Sequence, residues 1–496
     1  MECKNLINGK FTDSHTGKIF ESRNPTDKNE IIGTAPQSDE TDVNTAVDAA
    51  FNAYEQWRNT SRIKRGEFLD EFAQLVKQNR EELAILMSNE CGKGINESRA
   101  DVTEGIHMAQ YVFGAARMPY GDVVASEIAE KDSFMRRKPK GVATAITPWN
   151  FPFAIPLWLI CPSVLEGNTI ILKPSSETPC VAFKMSEYFN KAGFPPGVIN
   201  FVYGDGKTCG NVLVKDQRIN VALFVGSASV GASIKKLSAE HYDRMCACEM
   251  GGKNAVIILE DANMDIALNA AITSAYKTTG QRCTSASRMI VHEKVIDEFT
   301  EGFVRLSKKI NIGSPLNEDV FMGPLINDAA VKKFEFYNQL AKKEGANVLL
   351  EGERLTDNKY KKGHFVSPFV YKMNHNQESR VLNEEVFAPH VAIIPVKDLE
   401  EAIAVYNSTP YGLSCSVITE DYRKAKEIRD RCEYGLGYVN LPTIGAEVHL
   451  PFGGVKKSGT GLPSASTLID VVTHRTAWTI NYGTKIKMAQ GLKSEV

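Results

Sequence analysis

The sequence predicts an α/β protein with two domains, each built on an open and mostly parallel sheet. Its 496 residues correspond to about two to four domains at roughly 100–200 residues each. Strand-like and helix-like segments alternate in two successive runs, over residues 142–277 and 289–440. Strands that alternate with helices in this way form βαβ units, in which the strands lie parallel. Two such runs predict two α/β domains with a functional cleft between them.

A helical region precedes the first α/β run. Apolar side chains at helical spacing, such as Phe68, Phe72 and Val76, predict a long helical region over about Glu40–Phe113. The first run is then predicted to contain strands Val142–Thr147, Thr169–Lys173, Val198–Val202, Val221–Val225 and Ala255–Leu259, with helices Val181–Lys191, Thr208–Lys215, Val230–Glu240 and Ala267–Lys277.

The second run repeats the pattern and is followed by a terminal strand. Its predicted strands are Met289–Val291, Asn347–Leu350, Val391–Pro395, Ser414–Ile418 and Leu436–Asn440, and its predicted helices are Lys294–Lys309, Ala329–Lys343, Leu399–Asn407 and Tyr422–Cys432. The β-branched and aromatic segment Thr476–Tyr482 is a strand candidate that either pairs with a neighbouring chain or forms an isolated edge.

Composition and charge favour a soluble enzyme. Apolar residues make up 43% and charged residues 24% of the chain, as in average globular proteins. The formal net charge of −2 gives no global field that would attract nucleic acid or an anionic membrane, so neither partner is expected. The uncharged stretch Gly141–Leu165 is long enough to suggest a membrane span, but its four prolines predict a buried core segment instead.

The cysteines favour a reducing compartment. There are ten, without a CxxC pair, and the spacing of Cys246 and Cys248 suits neither a zinc site nor a redox pair. Scattered free thiols predict a cytoplasmic location. The polar N-terminus predicts no secretory signal peptide. We also expect no bound metal.

A glycine-rich turn, GSASVG, follows the predicted strand Val221–Val225 and precedes a helix. Unpaired N–H groups at such a turn can bind a phosphate or pyrophosphate. Because the turn is not a GxGxxG fingerprint, a tight turn without a ligand is an equal alternative. The glycine-rich segment Gly204–Gly210 is a weaker candidate of the same kind.

Three further side chains could carry chemistry. Cys283 follows Gly280 on a turn where N–H groups and the cation of Arg282 would favour the thiolate. Alone, it is more often an incidental thiol. Glu249, ahead of two glycines, could be a partly desolvated general base or a solvated loop carboxylate. The amide of Asn150 could stabilise an oxyanion or satisfy its own proline-rich turn.

Seven ordered motifs together resemble the NAD(P)-dependent aldehyde dehydrogenase family: PWNFP at 148–152, LKPSSETP at 172–179, VGSASVG at 225–231, EMGGKN at 249–254, GQRC at 280–283, EEVFAP at 384–389 and PFGGVKKSG at 451–459. The resemblance covers about residues 7–482. It implies an aldehyde dehydrogenase-like fold, with two Rossmann-related open parallel-sheet domains and a small β oligomerisation arm. The implied domains are 1–122 with 141–254 for dinucleotide binding, 255–468 for catalysis, and 123–140 with 469–496 for the arm.

The resemblance also implies a mechanism. Cys283 would attack the aldehyde carbon to form a thiohemiacetal, whose oxyanion the Asn150 side chain and the Cys283 N–H would hold. Hydride transfer to the nicotinamide would leave a thioester, and Glu249 would activate water to release the acid. Direct hydride transfer of this kind needs no metal.

The implied cofactor site surrounds these residues. Lys173 resembles the lysine that holds the adenosine ribose, and Glu385 the glutamate that binds the nicotinamide ribose, with Phe387 beside it. The other implied cofactor residues are Thr147, Pro148, Trp149, Ser176, Gly206, Gly226, Ser227, Val230, Gly231 and Gly251. Ser176 stands where NAD-preferring relatives often carry a glutamate. Because serine does not repel a 2′-phosphate, we expect NADP to be accepted as well as NAD.

Besides Ser176, the chain departs from the family pattern at Leu159 and within residues 462–466, and the substrate is its least determined property. Leu159 replaces a common lysine, Leu462-Pro463 replaces Arg-Glu, and Ser466 stands near an expected carboxylate, which leaves Glu249 as the expected water-activating group. GQRCTSASR resembles 2-oxoglutarate-semialdehyde dehydrogenases, and TINYGTKIKMAQG resembles α-aminoadipic semialdehyde dehydrogenases. Both favour a small carboxylate-bearing semialdehyde, for which the cation candidates are Arg282, Arg117 and His449. Arg282 could equally be structural.

Three alternatives compete with hydrolytic oxidation. A coenzyme A-acylating enzyme would generally lack the base at Glu249, and a silent structural or binding relative would have lost Cys283, Asn150 or Glu249. A cofactor-free cysteine hydrolase would leave the dinucleotide motifs unexplained. Because the family is oligomeric, we expect a homodimer or homotetramer whose subunits meet through Glu127–Pro139 and Thr476–Tyr482.

Overall fold

The computed structural model describes residues 1–492, so the last four residues of the predicted arm lie outside the described part of the chain. The α-helices of residues 1–492 are α1 Glu40–Arg58, α2 Arg62–Gln78, α3 Arg80–Cys91, α4 Ile95–Ala115, α5 Ala154–Leu165, α6 Pro179–Lys191, α7 Asn211–Lys215, α8 Ala228–Ser238, α9 Met264–Tyr276, α10 Ile296–Lys308, α11 Asp328–Lys343, α12 Arg380–Asn383, α13 Leu399–Asn407, α14 Tyr422–Arg431 and α15 Leu468–Val472.

The strands are β1 Asn5–Ile7, β2 Lys10–Thr12, β3 Ile19–Asn24, β4 Asp27–Pro36, β5 Gly121–Val124, β6 Lys131–Pro139, β7 Val142–Ile146, β8 Thr169–Lys173, β9 Ile199–Phe201, β10 Ile219–Gly226, β11 Met245–Met250 and β12 Asn254–Ile258. They continue as β13 Ala286–His292, β14 Asn347–Leu350, β15 Phe369–Lys372, β16 His390–Val396, β17 Tyr411–Gly412, β18 Ser414–Ile418, β19 Leu436–Val439, β20 Pro451–Phe452, β21 Val455–Lys456, β22 Gly459–Thr460, β23 Ser464–Ala465 and β24 Thr473–Asn481.

The first large sheet has the order β2-β1-β9-β8-β7-β10-β11-β22. Its central strands β9, β8, β7, β10 and β11 are parallel. The chain leaves β7 toward β8 and β9 on one side and returns as β10 on the other side. The point at which the strand order reverses is called a switch point. There the turns after two neighbouring strands lead in opposite directions, which leaves a crevice for a ligand at the carboxyl ends of the strands.

The second large sheet has the order β14-β15-β16-β13-β12-β18-β19 and is parallel except for β14. Buried apolar clusters lie on both of its faces. The first sheet ends its parallel part at Met250, and the second begins at Asn254. Two open, mostly parallel sheets with helices between their strands confirm the predicted α/β class. The exact domain limits stay a prediction.

A third sheet, of order β24-β6-β5, is separate from both large sheets. Its terminal strand β24 contains all of the predicted strand Thr476–Tyr482 except its last residue. It pairs antiparallel with β6 of the same chain from Thr473↔Pro139 to Asn481↔Lys131. The strand is therefore an edge strand of this sheet, with a partner more than three hundred residues earlier in the same chain, and pairing of its other side with a neighbouring chain stays a prediction.

The apolar stretch after β7 folds as α5, a helix that sequence analysis did not predict. All twelve of its residues are buried. Pro156 lies in the first turn, where a backbone N–H has no intrahelical acceptor, so only Pro162 interrupts the hydrogen-bond ladder. The prolines are thus compatible with a short buried helix. No helix within residues 1–492 is long and apolar enough to cross a membrane.

A buried ion pair joins the helical region to the start of α5. The Lys93 Nζ lies 2.7 Å from the Asp101 Oδ2, and both side chains are fully buried. The other Asp101 oxygen accepts the N–H of Ala154 at 2.8 Å. The ammonium also lies 3.6 Å from the centre of the Phe151 ring. This pair therefore fixes the segment that carries Asn150.

Replacing Lys93 with methionine is expected to lower the free energy of unfolding by about 3–5 kcal/mol, because Asp101 would remain buried without its counter-charge. Urea unfolding followed by circular dichroism would measure the loss. The double variant Lys93→Met/Asp101→Asn should recover part of it, since it removes both charges. Equal losses in the single and double variants would contradict a cost that arises from the unpaired carboxylate.

Candidate active site

A cavity of about 200 Å³ lies at the carboxyl edge of the first sheet and reaches Cys283. It is lined by Pro148, Trp149, Asn150, Ile155, Val225, Gly226, Ser227, Glu249, Met250, Gly251, Cys283, Lys333, Glu385 and Phe387. All three predicted catalytic residues and most predicted cofactor residues line it together. The predicted cofactor residues outside this lining are Thr147, Lys173, Ser176, Gly206, Val230 and Gly231.

Cys283 lies on a strained turn after α9. Thr278, Thr279 and Gly280 have φ angles of +54°, +58° and +71°. The left-handed region is unfavourable for β-branched residues, and such strain persists only where surrounding contacts impose it. A Cβ on Gly280 would lie 2.6 Å from the Ala388 carbonyl oxygen, so the turn also requires glycine at this point.

Buried polar contacts hold this turn in place. Glu97 of α4 accepts hydrogen bonds from the backbone N–H and hydroxyl of Thr278 and from the Arg282 guanidinium. The amide of Asn254 donates to the carbonyl of Cys283 at 2.6 Å and to that of Ser285 at 3.0 Å. Sequence analysis missed Glu97 and assigned no role to Asn254. Arg282 is therefore structural here, since it bonds to Glu97 and not to the cavity.

Asn150 lies directly against the Cys283 turn. Its side chain is 3% exposed, and its Nδ2 donates to the carbonyl of Gln281 at 2.9 Å. An amide nitrogen carries two hydrogens. The second has no acceptor among the described residues, so it is available at the edge of the cavity.

Glu249 is fully buried at the end of β11. Its Oε2 accepts the N–H of Gly454 at 3.2 Å, and its Oε1 has no hydrogen-bond partner among the described residues. Burial raises the pKa of this carboxyl well above its usual range. The solvated-loop alternative for Glu249 is therefore wrong, and the carboxyl has the environment of a general base.

The environment of Cys283 differs from the sequence expectation. Burial raises the pKa of the Cys283 thiol, and the carboxylates of Glu249 and Glu385 raise it further. Arg282 lowers the pKa, as the sequence led us to expect, but by less than burial raises it. The cation therefore favours the thiolate without outweighing the burial of the sulfur, which the sequence did not reveal.

The N-terminus of α8 faces the same cavity through Gly226 and Ser227. Ser227 makes no side-chain cap, so the first N–H groups of the helix are free to bind an anion. A Cβ on Gly231 would lie 2.4 Å from the Met250 sulfur, which means that glycine lets the helix pack on the sheet. Val230 is 47% exposed in the first turn of α8. These features fit the pyrophosphate of a dinucleotide.

A second group of residues fits the nicotinamide half. Glu385 Oε1 accepts the N–H of Gly252 at 3.1 Å, and a Cβ on Gly251 would lie only 2.1 Å from the same carboxylate. The Trp149 and Phe387 rings meet edge to face at 5.8 Å. The hydroxyl of Thr147 is buried without a partner among the described residues. A bound polar group would satisfy it.

The adenosine half would extend along β8 and β9. Lys173 is buried, and its Nζ donates to the Pro174 carbonyl at 2.9 Å. Burial lowers the pKa of Lys173. Ser176 donates to the Gly204 carbonyl at 3.1 Å, which places it beside the turn that leads to Gly206. Open space surrounds Gly206. This end of the crevice thus has room at Gly206 and no carboxylate at position 176.

Lys333 is a cavity residue that the sequence did not reveal. It comes from α11 and interacts with the carboxylates of Glu385 and Glu384, while burial lowers its pKa. Neither the helix nor its charged pattern contains a family motif, so no signal in the sequence distinguishes it from a surface lysine. Among residues 1–492, no group of three or more ligating side chains could hold a metal ion.

A larger cavity of about 760 Å³ lies between α4 and residues 446–449. His449 lines it, as do Arg80 and Arg99, which sequence analysis did not select. Arg117 is not among its lining residues. At its inner wall, the Glu104 carboxylate accepts the indole N–H of Trp158 at 2.9 Å, and Arg282 acts on its pKa. Glu104 therefore connects this cavity to Arg282 of the Cys283 turn.

Comparison with known proteins agrees with this geometry. The model of the aldehyde dehydrogenase family matches residues 11–477. The chain is 37% identical over 456 residues to an alpha-ketoglutaric semialdehyde dehydrogenase of Bacillus subtilis strain 168, covering 92% of this chain and 93% of that protein. It is 34% identical over 441 residues to a D-glyceraldehyde dehydrogenase (NADP(+)) of Picrophilus torridus, covering 88% of each.

Solved structures give the same result. A betaine aldehyde dehydrogenase of Staphylococcus aureus in complex with NAD+ superposes with a TM-score of 0.93 at 30% identity, covering 97% of this chain and 95% of that one. Both the matched length and the identity exceed what a shared fold alone would give. The chain belongs to the aldehyde dehydrogenase family.

Proposed function

We propose that this enzyme oxidises an aldehyde to its acid through a covalent intermediate on Cys283. Family membership makes it an NAD(P)-dependent aldehyde dehydrogenase, as the sequence predicted. The observation that supports the finer proposal is the convergence of Cys283, Glu249 and Asn150 on one cavity at the sheet edge. A nucleophile, a buried carboxyl and a free amide N–H are the groups that acyl chemistry requires.

Cys283 supplies the nucleophile. The thiol gives up its proton to water, and the thiolate sulfur forms a bond to the aldehyde carbon while the carbonyl π electrons move to the oxygen, which becomes the oxyanion of a thiohemiacetal. The free N–H of the Asn150 amide and the backbone N–H of Cys283 are the donors proposed for that oxyanion. The residues proposed below would hold NAD(P), which would supply the hydride acceptor for the same carbon.

Glu249 then resolves the resulting thioester. Its carboxylate takes a proton from water, the water oxygen bonds to the acyl carbon, and the carbon–sulfur bond breaks to release the acid and the Cys283 thiolate. Its complete burial raises its pKa, which makes it a stronger base than an exposed carboxylate for this proton transfer. A coenzyme A-acylating enzyme would have no use for this group, which favours hydrolysis.

The proposed dinucleotide site uses three groups of residues along the switch-point crevice. Lys173, Ser176 and Gly206 would hold the adenosine ribose, and Gly226, Ser227, Val230 and Gly231 the pyrophosphate. Thr147, Pro148, Trp149, Gly251, Glu385 and Phe387, with Lys333, would surround the nicotinamide half. The free N–H groups of α8 and the unpartnered Thr147 hydroxyl support this arrangement.

Ser176→Glu is expected to shift the preference from NADP toward NAD by about tenfold or more, since a carboxylate would repel the 2′-phosphate. Steady-state kcat/KM with each cofactor measures the shift. Ser175→Glu is the matched control, because it adds the same charge one residue earlier. An unchanged NADP efficiency in Ser176→Glu, or a hundredfold NAD preference in the parent enzyme, would contradict the role of Ser176.

The proposed substrate is a small semialdehyde with a distal carboxylate. The named activity of the B. subtilis relative supports this class. The 760 Å³ cavity supports it too, since Arg80, Arg99 and His449 line that cavity. Arg99 is bonded to Glu81 and Glu318, and His449 lies 3.3 Å from the Glu447 carboxylate. Arg80 is therefore the best placed of the three to attract an anion.

A time course of reduced-nicotinamide formation tests the proposal. Carboxylate-bearing semialdehydes and unsubstituted aldehydes of matched length would be assayed with NAD and NADP, without coenzyme A. We expect turnover to the free acid and a higher kcat/KM for the semialdehydes. A strict requirement for coenzyme A would instead indicate acyl transfer. Equal efficiency on both aldehyde classes would exclude carboxylate recognition.

We also propose that the three-stranded sheet, residues 123–140 and 469–492, is an oligomerisation arm, with the dinucleotide domain and the catalytic domain divided at 254/255. The sheet is separate from both large sheets, and its outer strands expose Val123 and Trp478, at 86% and 50%. Light scattering would test for the expected homodimer or homotetramer.

A further inference from the structure

A cleft of about 920 Å³ lies between the helical region and the three-stranded sheet, remote from Cys283. Eighteen residues line it, and seven are lysine or arginine while one, Glu166, is acidic. The whole chain holds nearly equal numbers of basic and acidic residues. Positive charge is therefore concentrated at this cleft well beyond the average of the chain.

Much of that charge has no counter-ion. Arg58, Arg62 and Arg137 are paired with Glu55, Glu166 and Asp470. By contrast, Arg136, Lys138 and Lys140 have no carboxylate partner among the described residues, and Arg136 donates only to the Tyr120 hydroxyl. Arg136 and Lys138 are alternate residues of β6 and so project from the same side of that strand, about 7 Å apart. Lys140 follows directly after the strand and lines the same cleft. These three residues form an uncompensated row of cations.

Two independent features also indicate an excess of positive charge at this cleft. His474 lies opposite Lys138 in the sheet, and both Lys138 and Lys140 lower its pKa, in addition to burial. The N-terminus of α2 also opens on the cleft. Its N-cap, Ser61, makes no side-chain hydrogen bond, and its first turn contains no acidic residue. The positive end of the α2 dipole thus adds to the charge of the β6 row.

The shape of the cleft indicates the size of the ligand. Small-molecule sites are concave and commonly occupy about 300–1,000 Å³, and this cleft is of that size. We propose that it binds a small polyanion, with two or more phosphate or carboxylate groups, between the β6 row and the N-terminus of α2. This ligand is neither the aldehyde nor the dinucleotide, so the proposal is independent of the chemistry at Cys283.

Titration calorimetry of the NADP-saturated enzyme at low ionic strength tests the proposal, with tripolyphosphate and citrate as separate probes. Saturation keeps the probes out of the dinucleotide site. We expect one anion per chain, with an affinity that falls steeply as salt is added. The stronger of the two probes identifies phosphate or carboxylate as the preferred group.

The triple variant Arg136→Gln/Lys138→Gln/Lys140→Gln should weaken binding at least about tenfold, and Lys138→Gln alone should weaken it less. The matched control Arg305→Gln/Lys308→Gln/Lys309→Gln removes the same number of charges from exposed positions at the C-terminal end of α10, and should bind as the parent does. Each variant should retain aldehyde oxidation, which shows that it is folded.

Four results would overturn the proposal. The first is no binding of either probe by the parent enzyme, and the second is equal binding by the cleft variant. The third is a change of oligomeric state in the cleft variant without any anion binding, which would mean that a second copy of the chain fills the cleft. A single-stranded oligonucleotide that competes at much lower concentration than both probes would also exclude a small ligand.

Discussion

Cys283→Ala is expected to reduce aldehyde oxidation by about 10⁴-fold or more, because no carbon–sulfur bond can form and hydride transfer then lacks its tetrahedral precursor. The loss should fall on kcat. Dinucleotide affinity should change little, since Cys283 lies at the end of the cavity and not among the groups proposed for the pyrophosphate. Reduced-nicotinamide formation and equilibrium binding of NADP would be measured on the same preparation.

Cys432→Ala is the matched control for this prediction. Cys432 follows α14 and is buried in the apolar cluster of the second sheet, so its removal changes packing but no group of the site. Its kcat should be close to that of the parent enzyme. Substantial turnover by Cys283→Ala would exclude a covalent intermediate on Cys283. A loss of NADP binding in that variant would mean instead that the sulfur is needed to form the cavity.

The sequence predicted the framework of this site well. The glycine turns, Cys283 and Glu249 can be recognised because each lies in a short sequence motif. The residues of each motif are enough to predict the local backbone structure. The sheet topology then brings the motifs together, since β7, β8, β10 and β11 are neighbours and all end at one edge. Parallel βαβ order is therefore enough to assemble residues that are far apart in the chain.

The supporting contacts could not be predicted in the same way. Glu97 meets Thr278 across 181 residues, and α11 brings Lys333 to Glu385. Nothing near Glu97 or Lys333 in the sequence marks a tertiary partner, because each sits on an ordinary amphipathic helix. The raised pKa of the Cys283 thiol was missed for a related reason. The sequence reveals the neighbouring Arg282, whereas the burial that dominates the pKa of the thiol belongs to the folded chain.

Local propensity also failed where tertiary packing decides the structure. The residues of α5 include two prolines and are mostly apolar. They nevertheless form a helix because all of them are buried in the hydrophobic core, where the backbone groups must be hydrogen-bonded. The strand β11, with sequence MCACEM, has no clear alternation, but β10 lies beside it and supplies six parallel partners. Glu249 ends that strand. The position of the candidate base was thus fixed by an element that the sequence pattern did not indicate.

Glu249→Gln is expected to separate the oxidation that forms the thioester from the hydrolysis that releases the acid. The thiohemiacetal can still form and be oxidised, but water is no longer activated, so the thioester should accumulate on Cys283. Rapid mixing with aldehyde and NADP should give a burst of one reduced nicotinamide per active site. The following steady state should be about 10²–10⁴-fold slower than in the parent enzyme. Mass spectrometry of quenched enzyme should find the acyl group on Cys283.

The pH dependence identifies the same carboxyl. Because burial raises the pKa of Glu249 above its usual range, kcat should fall as pH decreases through that raised value, where the carboxylate becomes protonated and cannot accept a proton from water. This acid limb should be absent in Glu249→Gln. Glu90→Gln is the control, since burial raises the pKa of Glu90 to about 7, but that carboxyl accepts the N–H groups of Cys180 and Val181 far from the cavity. An acid limb that disappears in Glu90→Gln, or a burst that is missing in Glu249→Gln, would contradict the role proposed for Glu249.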